Sequence, residues 1–101
     1  MPTKVLLEAI ALHKCIRATY NRQSAIMAPH ILYTKHGELH LDAVTVERDG
    51  KPPREPKVGT YKLTGLSEVE LVDRPFTPES IFDANDPKYA GVTLFAVEPA
   101  A

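Results

Sequence analysis

The histidines are the first residues to test for chemistry, because imidazole binds metals and transfers protons near neutral pH. His36 and His40 are close enough in sequence to meet across a turn, but their spacing fixes no third ligand. The sequence contains neither the Cys/His pairs of a structural zinc site nor an HExxH helix. We therefore predict no metal site and no cofactor, and we interpret His13 as a favourable partner of a helix dipole.

The sequence also lacks convincing candidates for nucleophilic or acid-base catalysis. The serines stand outside the glycine-flanked turn that exposes a nucleophile; they are Ser24, Ser67 and Ser80. Glu68 and Glu70 alternate as one solvated face of a strand would. The five glycines are scattered and form no loop that could cradle a phosphate. We expect a protein that is not an enzyme.

Composition indicates one small domain with a modest, mostly aliphatic core. The chain has 101 residues, 44% of them hydrophobic, and no run approaches the roughly 20 apolar residues of a spanning helix. Cys15 is the sole cysteine, so it cannot close a disulfide within the chain, and we interpret it as a small buried hydrophobe. No apolar leader opens the sequence, so we expect a reducing cytoplasm and no membrane partner.

The charge is unevenly distributed along the chain. The net charge of −1 argues against binding through bulk positive charge. Ten Lys and Arg against six Asp and Glu occur through Lys62, whereas two stand against seven from Leu63 onward. Either the two oppositely charged parts fold against each other, or the acidic tail lies over a basic surface and tunes it.

Periodicity predicts a short helix followed by five strands. Thr3 is placed to cap a helix over residues 4–12, and period-two patterns predict strands over 14–20, 58–64 and 66–72. A hairpin of residues 26–34 and 38–46, turning at Gly37, forms the centre. A loop with three prolines and four charges, residues 51–57, is expected to be exposed and extended.

Two local features predict a bent sheet. Pro29 removes a ladder donor, so its strand is expected to be bulged or at an edge. The apolar phase of the next strand changes between Leu41 and Val44, which predicts a bulge or bend near Asp42 and Ala43.

After Pro75 the sequence predicts a small appendage. Thr77 and Pro78 are typical of a helix start, giving one or two turns through Phe82, and residues 92–97 form a possible sixth strand. The expected fold is mainly β (α+β): a short N-terminal helix, a five-stranded antiparallel β-barrel over residues 1–76, and a helix-and-strand appendage over residues 77–101 packed on it.

The order of elements resembles the WYL domain family over about residues 6–76. The matching positions are Leu7 to Ile10, Ile16, Tyr20, Pro29, Leu39 to Leu41 where the family carries its tripeptide, Tyr61 to Leu63, Leu66, Val69, Leu71 and Phe76. The resemblance implies an Sm-like, SH3-type barrel that serves as a sensor module in bacterial transcription regulators. It also implies a nucleotide-like or nucleic-acid ligand. Leu39 and His40 replace the family's aromatic pair, and Gly59 and Gly65 replace basic residues near the fourth strand.

The resemblance suggests one polar ligand-binding groove. Its candidate residues are Lys14, Arg17, Tyr20, His30, His40 and Lys62. A base stacked on Tyr20 beside one or two cations would suit a nucleotide or a short single strand. Alternatively, Tyr20 belongs to the core and the charges only solvate the surface.

Two functions follow from these observations. In the first, the protein is a ligand-sensing module that binds a nucleotide-like or nucleic-acid ligand and acts through a separate protein partner in transcription regulation. In the second, it is a protein-interaction module that self-associates as a homo-oligomer through its helix and strand edges without a ligand.

Overall fold

The computed structural model describes residues 2–98 and shows a mostly β protein with one N-terminal helix. The elements are α1 Thr3–Leu12, β1 Lys14–Tyr20, β2 Gln23–Lys35, β3 Glu38–Arg48, β4 Val58–Lys62, β5 Leu66–Pro75 and β6 Thr93–Ala96. Short 3₁₀ turns lie at Leu63–Gly65 and Pro87–Tyr89. Within residues 2–98, the helices are too short or too polar to span a lipid bilayer.

Helix α1 packs its apolar side on the sheet. Leu6, Ala9 and Ile10 are buried in the same cluster as the sheet residues Ile16 and Leu41. The predicted Thr3 cap is wrong, because the helix begins at Thr3 and its N-cap position is Pro2 without a side-chain cap. The helix ends at Leu12, and the next residue, His13, takes the left-handed conformation and donates its backbone N–H to carbonyls of the last turn.

All strand pairs are antiparallel, in the order β4-β3-β2-β1-β5, with β6 added to β2. Strand β2 is the centre of the fold. Its first part pairs with β1 through Met27, its last part pairs with β6 from Ile31, and β3 runs along its other side. The hairpin predicted around Gly37 is confirmed, and its two turn residues, His36 and Gly37, both have positive φ (53° and 77°), the geometry of a type I′ turn.

The bulge predicted near Asp42 and Ala43 lies at that level of the sheet, but the additional residue is on the partner strand. Pro29 is opposite Ala43 and Ile31 is opposite Asp42, so His30 is the extra residue. The prediction that the strand is bulged at Pro29 is confirmed, because the register shifts between Pro29 and Ile31, and Pro29 belongs to the central strand β2 rather than to an outer strand. It lies in the interval between the β1 and β6 pairings, where its missing N–H interrupts neither ladder.

The sheet curls but is not closed. The three-residue Leu63–Gly65 turn joins the two outer strands β4 and β5, and the Tyr61 ring of β4 contacts the Tyr20 ring of β1 at a centroid distance of 5.1 Å. No ladder joins β4 to β5 in the described part of the chain. An open sheet therefore replaces the expected closed five-stranded barrel, and the C-terminal segment adds β6 to β2 as a sixth strand.

The C-terminal segment covers a second cluster of buried side chains. The predicted strand over 92–97 is confirmed as β6, whereas the helix predicted from Thr77 to Phe82 is wrong. The Glu79 N–H, which such a helix would place in its first turn, donates instead to the imidazole of His30. The single 3₁₀ turn of the segment lies later, at Pro87–Tyr89, where Tyr89 packs with Ile31 and Tyr33.

Candidate ligand-binding groove

The three basic side chains proposed from sequence are all ion-paired. Lys14 contacts Asp73 at 2.9 Å, and Arg17 contacts Glu70 at 2.8 Å across β1 and β5. The third pair joins Lys62 of β4 to Glu38 of β3 at 2.7 Å. Each of these cations has a neighbouring carboxylate, so none of them is positioned as an unoccupied anion site.

The six proposed residues are also not brought together. Lys14 and Tyr20 are at opposite ends of β1, about 20 Å apart at about 3.3 Å per residue. His40 and Lys62 are direct neighbours in the β3–β4 ladder, near the Gly37 turn. Tyr20 pairs with Gln23, at the other end of β2 from that turn. Among the six, only Tyr20 lines a groove on the surface described below.

His30 is a buried structural residue. Its side chain is fully inaccessible and lies between the rings of Phe76 and Phe82, each at 5.1 Å. Nε2 accepts the Glu79 N–H at 3.0 Å, so Nδ1 carries the proton and donates to the Ala28 carbonyl at 2.8 Å. Burial lowers the pKa of His30, and its hydrogen bond to Ala28 only partly offsets this effect. The imidazole is neutral and has both nitrogens occupied.

A buried carboxylate, Asp42, was not identified from the sequence. It is fully inaccessible and accepts hydrogen bonds from the hydroxyls of Tyr33, at 2.7 Å, and Tyr89, while Lys88 Nζ lies 2.9 Å away. Burial alone would raise the pKa of Asp42, but the hydrogen bonds from Tyr89, Lys88 and Tyr33 together hold it below its usual value. Burial and the bond to Asp42 raise the pKa of Tyr33 to about 12.

Unpaired basic residues are concentrated instead around the end of β3 and the loop that follows. Among residues 2–98, Arg48, Lys51 and Lys57 form no ion pair. All three line one groove of about 550 Å³, and Tyr61 lines it as well. Asp49 and Glu55 also line it, without contacting these cations closely enough to pair with them.

The backbone holds two of these cations opposite each other. Arg48 and Lys51 exchange both backbone hydrogen bonds, at 2.8 and 3.0 Å, across a turn whose residues Asp49 and Gly50 have positive φ. Directly opposed residues in such a pair have Cβ atoms about 5 Å apart, and like charges in that position are destabilising. Two positive charges on neighbouring, directly opposed residues without a carboxylate partner form a favourable place for an anion.

A smaller pocket of about 250 Å³ adjoins this groove and shares Arg48 and Tyr61 with it. Its other walls include Tyr20 and the amide side chains of Asn21 and Gln23. The rings of Tyr20 and Tyr61 meet edge to face, and the Tyr61 hydroxyl lies 3.3 Å from Thr45 Oγ1. We call the two pockets together the Arg48 groove.

Two glycines that depart from the WYL pattern leave space for the rings of this groove. A Cβ at Gly65 would stand 2.8 Å from Tyr20 Cε1, and one at Gly59 would stand 3.1 Å from the Tyr61 hydroxyl. A longer side chain at Gly65 would displace the Tyr20 ring. Close packing against the two tyrosine rings therefore explains why both positions are glycine.

The sequence contained a signal for this groove that was interpreted only as an exposed loop. The signal is the recurrence of a basic residue at every third position, which gives Arg48, Lys51, Arg54 and Lys57. The three prolines among them indicate only an extended chain. The contribution of Tyr20 and Tyr61 depends on the curl of the sheet, which sequence spacing does not specify.

Within residues 2–98 no group of three or more potential ligand side chains is arranged to hold a metal ion. Comparison with protein families, characterised proteins and solved structures finds no match to this chain. The inference of function therefore depends on the geometry of the groove.

Proposed function

We propose that this protein is a non-enzymatic ligand-sensing module that binds a nucleotide-like or single-stranded nucleic-acid ligand in the Arg48 groove. In this proposal it is a WYL-like domain with an Sm-like, SH3-type sheet, and it acts in the bacterial cytoplasm through a separate partner in transcription regulation. The strand order and the short turn from β4 to β5 are compatible with that architecture.

One observation carries the binding proposal. Arg48 and Lys51 are held directly opposite each other, unpaired, in a groove that also contains Lys57 and an aromatic ring. Guanidinium and ammonium groups form strong charge-assisted hydrogen bonds with phosphate, and a tyrosine ring offers a surface for a base. The groove supplies both kinds of contact within one concave surface.

The test is a titration of labelled single-stranded DNA, RNA and a labelled nucleotide at two salt concentrations. If three phosphates of a strand are contacted, its affinity should fall about 20-fold between roughly 50 and 200 mM monovalent salt. Lys51→Gln combined with Lys57→Gln should reduce binding strongly. Lys14→Gln combined with Arg17→Gln is the matched control, removing the same number of charges from ion-paired positions, and should leave affinity nearly unchanged.

Two results would overturn the proposal. One is the absence of any binding at low salt. The other is equal loss of affinity in the two double variants, since binding would then follow total charge rather than the groove.

A second candidate function is protein interaction without a ligand. Leu12 and Leu94 are each 55% exposed, and Phe95 beside Leu94 is 38% exposed, so apolar side chains lie at the end of α1 and on β6. These are the helix and strand edges from which self-association was expected. Light scattering separates the candidates, because a homo-oligomer broken by Leu94→Glu, together with no ligand binding, would favour this second function.

A further inference from the structure

We infer that the ligand of the Arg48 groove is a single nucleoside carrying two or more consecutive phosphates, not a nucleic-acid strand. This inference rests on the proposed function and assigns the two halves of the groove to two parts of one molecule. The phosphates lie with Arg48, Lys51 and Lys57, and the base lies in the pocket formed by Tyr20, Asn21 and Gln23.

The separation of charge from amides along the groove supports this assignment. Lys51 and Lys57 line only the larger pocket, whereas Asn21 and Gln23 line only the smaller one. Arg48 and Tyr61 belong to both and mark the junction. Amide side chains present one acceptor and two donors, which is what recognition of a base edge requires, and they carry no charge that would hold a phosphate.

The grouping of the cations beside a single small pocket favours one nucleotide as the ligand. Consecutive phosphates of a polyphosphate are joined through a single oxygen, while phosphates of a strand are separated by sugars and alternate with bases. The groove gathers its unpaired cations on one side of a single small pocket of about 250 Å³. The pattern corresponds to one base followed by several adjacent phosphates.

Asp49 and Glu55 restrict where the phosphates can lie. Both carboxylates line the larger pocket, so a polyphosphate is attracted by the three cations and repelled by two acids. Removing one acid should therefore strengthen phosphate binding. Glu55→Gln is the more suitable change, because Asp49 lies in the turn with φ of 53° and supports the Arg48–Lys51 pair.

Isothermal titration calorimetry on the full chain tests the inference with nucleoside mono-, di- and triphosphates, inorganic tripolyphosphate and a short oligodeoxythymidylate. The triphosphate should bind at least about 10-fold more tightly than the monophosphate, because each added phosphate gains charge-assisted hydrogen bonds. It should also bind more tightly than tripolyphosphate and the oligonucleotide. Glu55→Gln should tighten triphosphate binding several-fold.

A paired set of variants separates the two halves of the groove. Asn21→Ala with Gln23→Ala should reduce the advantage of the nucleoside triphosphate over tripolyphosphate while leaving tripolyphosphate binding unchanged. Lys51→Gln with Lys57→Gln should weaken both ligands.

The outcomes distinguish this inference from the proposed function. An oligonucleotide that binds more tightly than the triphosphate, or a monophosphate that binds equally well, overturns this inference and leaves the proposed function standing. Failure of every phosphate-bearing probe to bind overturns both.

Discussion

Asp42 connects the C-terminal segment to the sheet at the level of single atoms. Its carboxylate lies inside β3, while two of its partners, Lys88 and Tyr89, come from a segment more than 40 residues later in the chain. A buried carboxylate is costly unless its oxygens are hydrogen-bonded, and here both are occupied. The chain therefore stabilises this charge only when the C-terminal segment is docked.

We predict that Asp42→Asn lowers the free energy of unfolding by about 2 to 3 kcal/mol, because hydrogen bonds to a buried charged group are lost. Asp73→Asn, which breaks an exposed pair with Lys14, should lower the free energy of unfolding much less than Asp42→Asn does. Urea denaturation measures both. Because the pKa of Asp42 is lowered in the folded protein, its contribution is present above the unfolded carboxyl pKa and disappears as pH falls through the folded value. The difference in free energy of unfolding between wild type and Asp42→Asn should therefore become smaller in acid. Equal destabilisation by Asp42→Asn and Asp73→Asn would contradict the prediction.

The buried His30 should make the stability of the fold depend on pH in a second way, independent of Asp42. Its pKa is lowered by burial, so the unfolded chain takes up a proton at a higher pH than the folded protein does. The stability it contributes is present above about pH 6.5, the unfolded value, and is lost as pH falls through the folded pKa. The charged or titratable groups that act on it are Glu79, which favours protonation, and His13 at the end of α1, which opposes it.

Urea denaturation between about pH 8 and pH 5 tests this expectation. His30→Gln keeps an acceptor for the Glu79 N–H but does not titrate, so its stability should fall less steeply below about pH 6.5 than that of the wild type. His36→Gln makes the same substitution at an exposed turn residue and is the matched control. If the stability of wild type and of His30→Gln fell equally steeply with pH, protonation of the His30 imidazole would not be the cause of the pH dependence.

Among the elements, the β2–β3 hairpin makes the clearest backbone prediction. Gly37 has φ of 77°, and a Cβ built there meets no atom within 4 Å. Any cost of a side chain at this position is therefore conformational. Gly37→Ala should lower the free energy of unfolding by about 1 to 2 kcal/mol.

The control for this prediction is the neighbouring turn residue. His36 also has positive φ, and asparagine tolerates that conformation better than most residues, so His36→Asn should be neutral or stabilising by a few tenths of a kcal/mol. Thermal or urea unfolding compares the two. A tolerated Gly37→Ala would indicate that the turn changes type without strain.

The local elements were largely predictable, while their assembly was not. Strand β1 was predicted with the observed bounds, and the hairpin and β6 were predicted within three residues at each end, because turn glycines and period-two patterns are local signals. Burial of His30 and the partners of Asp42 depend on which distant segments meet. Sequence spacing gives the face of a strand but not the identity of what covers it.

Across the whole molecule, ion pairs join the basic part of the chain to the acidic part. Lys14 and Arg17 of the basic part contact Asp73 and Glu70 of the acidic part, and Lys88 of the acidic part contacts Asp42. These contacts favour the interpretation that the two parts fold against each other. Three of the basic side chains that stay outside these ion pairs, Arg48, Lys51 and Lys57, line the Arg48 groove.

The turn that fixes Arg48 opposite Lys51 has a consequence for how this protein could change. The turn holds the N-terminal end of the loop, and the β3–β4 ladder holds its C-terminal end. Every side chain of residues 52–57 is exposed. Segments with no buried side chain tolerate exchange and insertion. A library randomised over these six positions should yield many folded members, so the lining of the groove can change while the sheet that supports it stays intact.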